Sequence, residues 1–423
     1  MKKIYSLIFI FSILYTFESS AQTDSLHLNI NQATQLLIAN NYDLLVGNQQ
    51  VNIAEADVIT ARLFENPELS YENLLYNHET KKFLQTSYAY GQYAGSISQL
   101  FKLAGKRNKN IALAKTGVQL AQFQYFDLMR SLRFELRDTF YKIYFAQNSV
   151  SVIEQQIASS EALQKVYEAQ LSKGNIALKD LMRIKSLVIG LKSELTSALN
   201  DLEDDYRDIK LLMGISANTP IKLMVDKSDL DNKALQNLSY AKLLDSAIQN
   251  RADLKLAQSN VRYNEHNLQL QKAMAIPDVQ LNLSYDLKGN YPEKYLGIGI
   301  SVPIPLFNRN QGEIKKAKFS IDEANSLLKK QSLQLELEVS NSLKTAVRNE
   351  NMAKEIDETF SENFNRLING LIKNFRERNI SLIEFLDLYE SYKETTLQIN
   401  QLQYQRLSAR EEINFVTGSN IFK

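Results

Sequence analysis

Between Ile276 and Ile304 the chain reads IPDVQLNLSYDLKGNYPEKYLGIGISVPI. Val279, Leu281, Leu283, Tyr285 and Leu287 alternate with Asp278, Gln280, Asn282, Ser284, Asp286 and Lys288. A period of two, with one apolar and one polar face, is the pattern of a half-buried strand. After Gly289-Asn290-Tyr291-Pro292 the return alternates Ile298, Ile300, Val302 and Ile304 with Gly297, Gly299 and Ser301. The expectation is a hairpin of strands at about 278–288 and 295–305, greasy on one side.

This hairpin has a counterpart upstream. Asn40, Asp43, Leu44, Val51 and Pro67 recur 210 residues later as Asn250, Asp253, Leu254, Val261 and Pro277. Ser98, Leu103, Ala114, Lys115 and Glu135 recur 203 later as Ser301, Leu306, Ala317, Lys318 and Glu338, so the first copy holds seven extra residues (210 minus 203) between Pro67 and Ser98. Leu163, Asn175, Ile176, Leu178 and Gly214 recur 204 later as Leu367, Asn379, Ile380, Leu382 and Gly418. Constant offsets through Pro, Asn and Gly indicate a duplication. The repeats are read as residues 22–226 and 227–423, with the first hairpin at about 68–78 and 88–100 and the extra residues in its loop.

Either side of each hairpin the period changes to that of a helix. A stretch from Asn31 to Phe64, and its equivalent from Ser239 to Ala275, ends at a proline, which lacks the donor a helix needs and crowds the residue before it. Downstream, Ala114, Val118, Ala121, Tyr125, Leu128, Leu132, Leu136, Thr139 and Ile143 are spaced by fours and threes, as are Leu181, Ile184, Val188, Leu191 and Leu195. That spacing marks coiled-coil packing. Gly174-Asn175 and Arg378-Asn379 interrupt the runs where a left-handed residue turns the chain back. Unbroken, Gly105 to Ser172 would reach roughly 100 Å at the rise of an α-helix. Only 14 Gly and 6 Pro in 423 residues agree with such long helices. The fold class is mainly α with a small β part: two tandem units of helix, β-hairpin and long coiled-coil helices.

The first residues concern destination. Met1-Lys2-Lys3, an apolar run from Ile4 to Phe17 and Ser19-Ser20-Ala21 form a secretory signal peptide over 1–21. No later stretch approaches the roughly 18 apolar residues of a membrane-spanning helix. The absence of cysteine removes disulfides, thiolate chemistry and a lipid-bearing cysteine. A net charge of +1, from 49 basic and 48 acidic residues, gives no field to favour nucleic acid.

Two hairpins supply four strands, which expose unpaired edges and cannot close a membrane barrel alone. A barrel would have to be shared. Three copies would give twelve strands, an even number in the outer-membrane range, and a ring of pillars would continue the pore as an α-helical barrel. Tyr71, Tyr76, Tyr88, Tyr90, Tyr93, Tyr285, Tyr291 and Tyr295 are candidates for the interfacial aromatic girdle, Tyr71, Tyr88, Tyr285 and Tyr295 foremost. Ordinary strand propensity would also account for them.

Across essentially the whole mature chain these features resemble the TolC-like outer-membrane efflux proteins. The segment from Asn31 to Pro67 is similar to the family's N-terminal pattern. SQLFKLAGKR from Ser98 to Arg107 and VPIPLFNRNQG from Val302 to Gly312 resemble the CzcC-type, divalent-cation branch, and NISLIEFLD from Asn379 to Asp387 resembles the periplasmic turn. The resemblance implies a homotrimer with a twelve-stranded barrel in outer-membrane lipid and a helical tunnel across the periplasm. It further implies a periplasmic adaptor and an inner-membrane pump, of the RND type for this branch. The adaptor would dock at the tip, at Gly174, Asn175, Ile176, Arg378, Asn379 and Ile380. A pore constriction is implied at Glu384 and Asp387, with Asp180 matching Glu384 in the first repeat and Ile184 matching Leu388. A Glu where better-known multidrug members have Asp puts the width of that ring in question. Two carboxylates repeated around an axis would attract cations, although acidic residues also suit a helix N-terminus.

Enzyme chemistry is not legible. His27, His78 and His266 lack metal-ligand spacing, Gly105-Lys106-Arg107 lacks the rest of a phosphate loop, and no nucleophile is matched to a base. No cofactor is expected. Glu411-Glu412 reads as a solvated face of the last helix. The reading is therefore an exit duct for divalent metal cations, with drug or protein export as alternative cargo. A periplasmic adaptor or a structural coiled coil is the rival, but an adaptor has one helical hairpin where this chain has two in tandem.

Overall fold

The computed structural model describes residues 25–422 except 226–237, 290–291, 357–363, 365, 368–369, 376 and 378. The leader at 1–21, the 226/227 boundary, Tyr291 and Arg378 lie outside the described residues. In chain order the elements are β1 (Leu26–Leu28), α1 (Ile30–Asn40), α2 (Tyr42–Arg62), β2 (Glu68–Asn73), β3 (Tyr76–Asn77), β4 (Lys82–Phe83), β5 (Tyr93–Phe101), α3 (Lys106–Leu171), α4 (Leu178–Met213) and β6 (Ile221–Leu223). There follow α5 (Tyr240–Asn250), α6 (Ala252–Met274), β7 (Val279–Asp286), β8 (Tyr295–Ser301), α7 (Gln311–Lys354) and α8 (Leu382–Thr417). No helix among the described residues is long and apolar enough to cross a membrane.

Each opening helical stretch is two helices, where the sequence suggested one. The break falls at Asn41 and, 210 residues on, at Arg251, both with extended backbone. Local chemistry explains it. The Asn41 side-chain oxygen accepts from the Leu44 N–H at 3.0 Å, capping α2, while its amide donates to the Leu212 carbonyl at 3.0 Å. Arg251 directs Nη1 to the Val416 carbonyl at 3.5 Å, and Val416 is the counterpart of Leu212. Each break thus meets the last turn of its own repeat. Those turns end at Gly214 and Gly418, both with φ of +63°. A Cβ on Gly214 would lie 2.8 Å from the Asn40 carbonyl oxygen, so close approach as well as backbone conformation demands glycine.

The core keeps the duplication. Ala33, Leu37, Leu44, Leu132, Leu136, Ile143, Ile209 and Leu212 lie in one apolar cluster. Their counterparts Leu243, Ala247, Leu254, Leu335, Val339, Ala346, Ile413 and Val416 lie in a second. Ala33 and Leu37 become Leu243 and Ala247, a compensated exchange of volume that conserves packing. At the first cluster, β1 pairs in parallel with β6, Leu26 opposite Ile221. This two-stranded piece joins residues far apart in sequence and was not anticipated.

α3 runs for 66 residues without a break. It packs against α2, α4, α6 and α8, while α8 also packs against α7. Because α8 is covered from two sides, Glu411 is not on a solvated face. It is 5% exposed, with its carboxylate 2.6 Å from Arg137, and the neighbouring Arg410 donates to both Glu350 oxygens at 3.1 Å. Glu412 is half-buried, and burial, reinforced by Asp138 and Glu338, pushes its carboxyl above the usual range.

Candidate conduit wall and tip

The four main strands form one antiparallel sheet in the order β2-β5-β7-β8. The two hairpins are joined through β5 and β7, from Ala94 opposite Asp286 to Phe101 opposite Val279. β2 stops at Asn73, short of the anticipated 78, and β5 starts at Tyr93 rather than 88. Between them β3 and β4 form a small hairpin of their own, containing part of the segment that is longer in the first copy. β7 and β8 are also shorter than expected, β8 ending at Ser301 before Pro303. The outer edges of β2 and β8 have no partner strand among the described residues.

Register sorts the side chains into two faces. Leu69, Ile97, Leu283 and Ile298 form one row across all four strands, and Tyr71, Gly95, Tyr285 and Leu296 form the next on the same face. Ser70, Ser96, Ser284 and Gly297 form a row on the other face, followed by Glu72, Ala94, Asp286 and Tyr295. The apolar face is bare: Leu69 is 79% and Ile298 81% exposed. A continuous apolar face opposite a hydroxyl- and carboxyl-bearing one is what a sheet between lipid and water requires.

Among the candidate aromatics, Tyr71 and Tyr285 come together. Tyr93 lies between them, its ring 6.3 Å from Tyr71 and 6.0 Å from Tyr285, at the loop end of the apolar face. Tyr88 is in the loop, where it donates to Glu293 and carries the Lys294 ammonium 4.9 Å from its ring. Tyr295 has the wrong parity for the apolar face. It folds over Gly297 on the polar side, away from the girdle expected of it.

At the other end, α3 closes with a Schellman turn. Asn175 N–H donates to the Gln170 carbonyl at 3.0 Å and Gly174 N–H to the Leu171 carbonyl at 2.9 Å, with Gly174 at φ +74°. Asn379 N–H makes the same backward bond to the Asn374 carbonyl at 2.9 Å. Both asparagines add a side-chain bond, Asn175 to Gln170 at 2.7 Å and Asn379 to Glu377 at 3.2 Å. Ile176 is half-buried, and Ile380 packs against Leu371, Phe385 and Tyr389.

Ser381 caps α8 by accepting from Glu384 N–H at 3.2 Å. Glu384 and Asp387 are exposed, one turn apart, and offset from the buried Phe385 and Tyr389. Asp180 is half-buried in the first turn of α4, and no hydrogen bond or ion pair among the described residues joins it to either carboxylate. The tip is held by groups that were not singled out from the sequence. Phe375 stacks on Phe385 at 4.3 Å, and Phe385 lies 5.2 Å from Tyr389. Gln156 of α3 donates to the Tyr389 carbonyl at 3.0 Å. Lys393, 6% exposed, is 2.8 Å from Glu194 and 2.7 Å from Glu390. Burial alone would lower its pKa, but the two carboxylates raise it above the ordinary lysine value. Phe385 and Tyr389 at i and i+4 were the one sequence sign of this cluster.

The chain matches known proteins along this architecture. Residues 243–419 match the family model described as outer membrane efflux protein. The cobalt-zinc-cadmium resistance protein CzcC of Cupriavidus metallidurans is 22% identical over 297 residues, 70% of this chain and 68% of CzcC. Among solved structures, CusC superposes with a TM-score of 0.74 at 16% identity, covering 96% of each chain. The outer membrane channel CmeC of Campylobacter jejuni gives 0.73 at 14% identity, covering 92% of this chain and 85% of CmeC. The second repeat thus matches the outer membrane efflux protein family over residues 243–419, CzcC is similar over 70% of the chain, and nearly the whole chain shares the fold of the solved outer-membrane channels.

Proposed function

We propose that this chain is one third of an exit duct, in which residues 22–226 and 227–423 each contribute a hairpin to a shared barrel and a helical hairpin to a periplasmic tunnel. The observation that carries this reading is the four-stranded sheet with one bare apolar face and, among the described residues, no partner strand at either outer edge. Open edges in lipid leave backbone groups without partners, so the sheet must close on other copies. Three copies make twelve strands, within the even-numbered outer-membrane range. The turns at Gly174, Asn175 and Ile176, and at Arg378, Asn379 and Ile380, would meet a periplasmic adaptor, beyond which an inner-membrane pump of the RND type drives transport. Tyr71 and Tyr285 would lie at the membrane surface. The likeness to CzcC favours divalent cations as the cargo.

Glu384 and Asp387 are exposed at the start of α8, so copies around an axis would present a negative girdle, to which Asp180 would add. Such a girdle favours cations without holding one tightly, as a conduit requires. In planar bilayers the native protein is expected to conduct with a preference for cations. The Glu384→Ala, Asp387→Ala double variant should conduct with that preference largely lost. Selectivity and conductance unchanged by the double variant would remove the constriction from this reading.

A further inference from the structure

The paired strands are short for the membrane they cross. β8 has 7 residues; at about 3.3 Å per residue it covers about 20 Å along its axis. At a tilt of about 40° that is only about 15 Å of height, against an apolar band of about 25 Å. Beyond Ser301 the alternation continues into Val302 and Ile304, each followed by a proline that keeps it extended. Through Ile304 the height becomes about 23 Å. Past a turn in which Leu306 N–H donates to the Ile304 carbonyl at 2.9 Å comes Phe307. Ile304 is 78%, Leu306 64% and Phe307 91% exposed.

This loop is not loose. Gln311 donates to the Phe307 carbonyl at 3.1 Å, Asn310 N–H to Asn308 at 3.0 Å, and the Asn310 side chain to the Gln271 carbonyl at 2.8 Å. Its own polar groups therefore hold three large apolar side chains outward. The first repeat differs at the same places: at an offset of 203, Phe307 replaces Ala104 and Arg309 replaces Lys106. Lys106 is buried against Asp278 at 2.6 Å, whereas the exposed Arg309 side chain has no hydrogen bond or ion pair among the described residues. Lys315 and Lys318 are exposed on the following helix.

We propose that Ile304, Leu306 and Phe307 insert into the periplasmic leaflet of the outer membrane and that Arg309, with Lys315 and Lys318, holds the phosphate of an anionic phospholipid there. The proposal rests on the outer-membrane reading, of whose apolar face this loop is the direct continuation. A phenylalanine at the acyl boundary with a cation two residues beyond it suits a lipid edge.

The chain contains no tryptophan, so Phe307→Trp and Ile298→Trp each introduce a single tryptophan per chain, which can be excited beyond the tyrosine absorption. The full-length variants would be reconstituted in vesicles containing phosphatidylcholine or phosphatidylglycerol brominated on the upper acyl carbons. Emission of the Phe307→Trp protein should fall at least twofold, more with brominated phosphatidylglycerol. Adding Arg309→Gln, Lys315→Gln and Lys318→Gln should abolish that headgroup difference. Quenching at Ile298→Trp with none at Phe307→Trp would overturn the proposal and leave the barrel standing, and blue-shifted emission in that case would assign Phe307 to a contact with a second copy. Equal quenching by both lipids would overturn the anionic site. No quenching at either position would count against the outer-membrane reading itself.

Discussion

Replacing Arg251 by Met is expected to cost about 3 kcal/mol of stability, because it strands charge rather than merely removing a contact. Arg251 is 2% exposed. Its Nε donates to Asp253 at 2.9 Å, and further bonds reach Asp253 and Glu338. Gln331 at 2.8 Å and Arg130 at 3.5 Å would remain on Asp253, which keeps the loss from being larger. The variant should melt several degrees lower when helical circular dichroism of the full chain in detergent is followed with temperature. An unchanged melting temperature would contradict it. The sign of the pH effect also follows. Burial favours the neutral Asp253 carboxyl, but hydrogen bonding and charge from Arg251, with Arg130 behind it, hold its pKa below the usual value. Its stabilising share is complete above the ordinary carboxylate pKa and is lost as pH falls through the depressed one, so Arg251→Met should weaken this acid sensitivity.

The second large effect is expected on the sheet. Ile298 sits on the bare face in the row with Leu69, Ile97 and Leu283. A lysine facing lipid near the middle of a barrel costs about 2–4 kcal/mol, and a closed ring would incur it once per copy. Ile298→Lys should therefore sharply reduce the amount recovered from the outer membrane as a heat-modifiable oligomer. Ser284→Lys, on the opposite face of the adjacent strand, should leave recovery near the native level. Equal recovery of the two variants would mean that the faces have been assigned wrongly.

What could be read in advance was whatever local periodicity encodes. Val279 to Tyr285 declares a strand, and the threes and fours from Ala114 to Ile143 declare a packed helix, because alternation and heptads are set by neighbouring residues. The break at Asn41 is different. Its cap to Leu44 is local, but its bond to Leu212 depends on a helix end 171 positions away. Glu411 carries no local sign of burial, since its cover comes from Arg137 on another helix. Tyr295 was misjudged because β-propensity says nothing about which face a tyrosine occupies, and parity with Gly297 decides that. At the tip, the turns at Asn175 and Asn379 were legible from their recurring Asn-Ile pairs. Phe385 and Tyr389 showed only as an i, i+4 pair, and Phe375 did not show at all, because its stacking on Phe385 joins two separate segments.

The central claim is that the sheet closes only between copies, across the outer membrane. Native mass spectrometry of the full-length protein extracted from outer membranes tests it most directly. A particle of three chains, with no stable single chain in the extract, is predicted. A single chain extracted from the membrane, or a freely soluble periplasmic monomer, would contradict it.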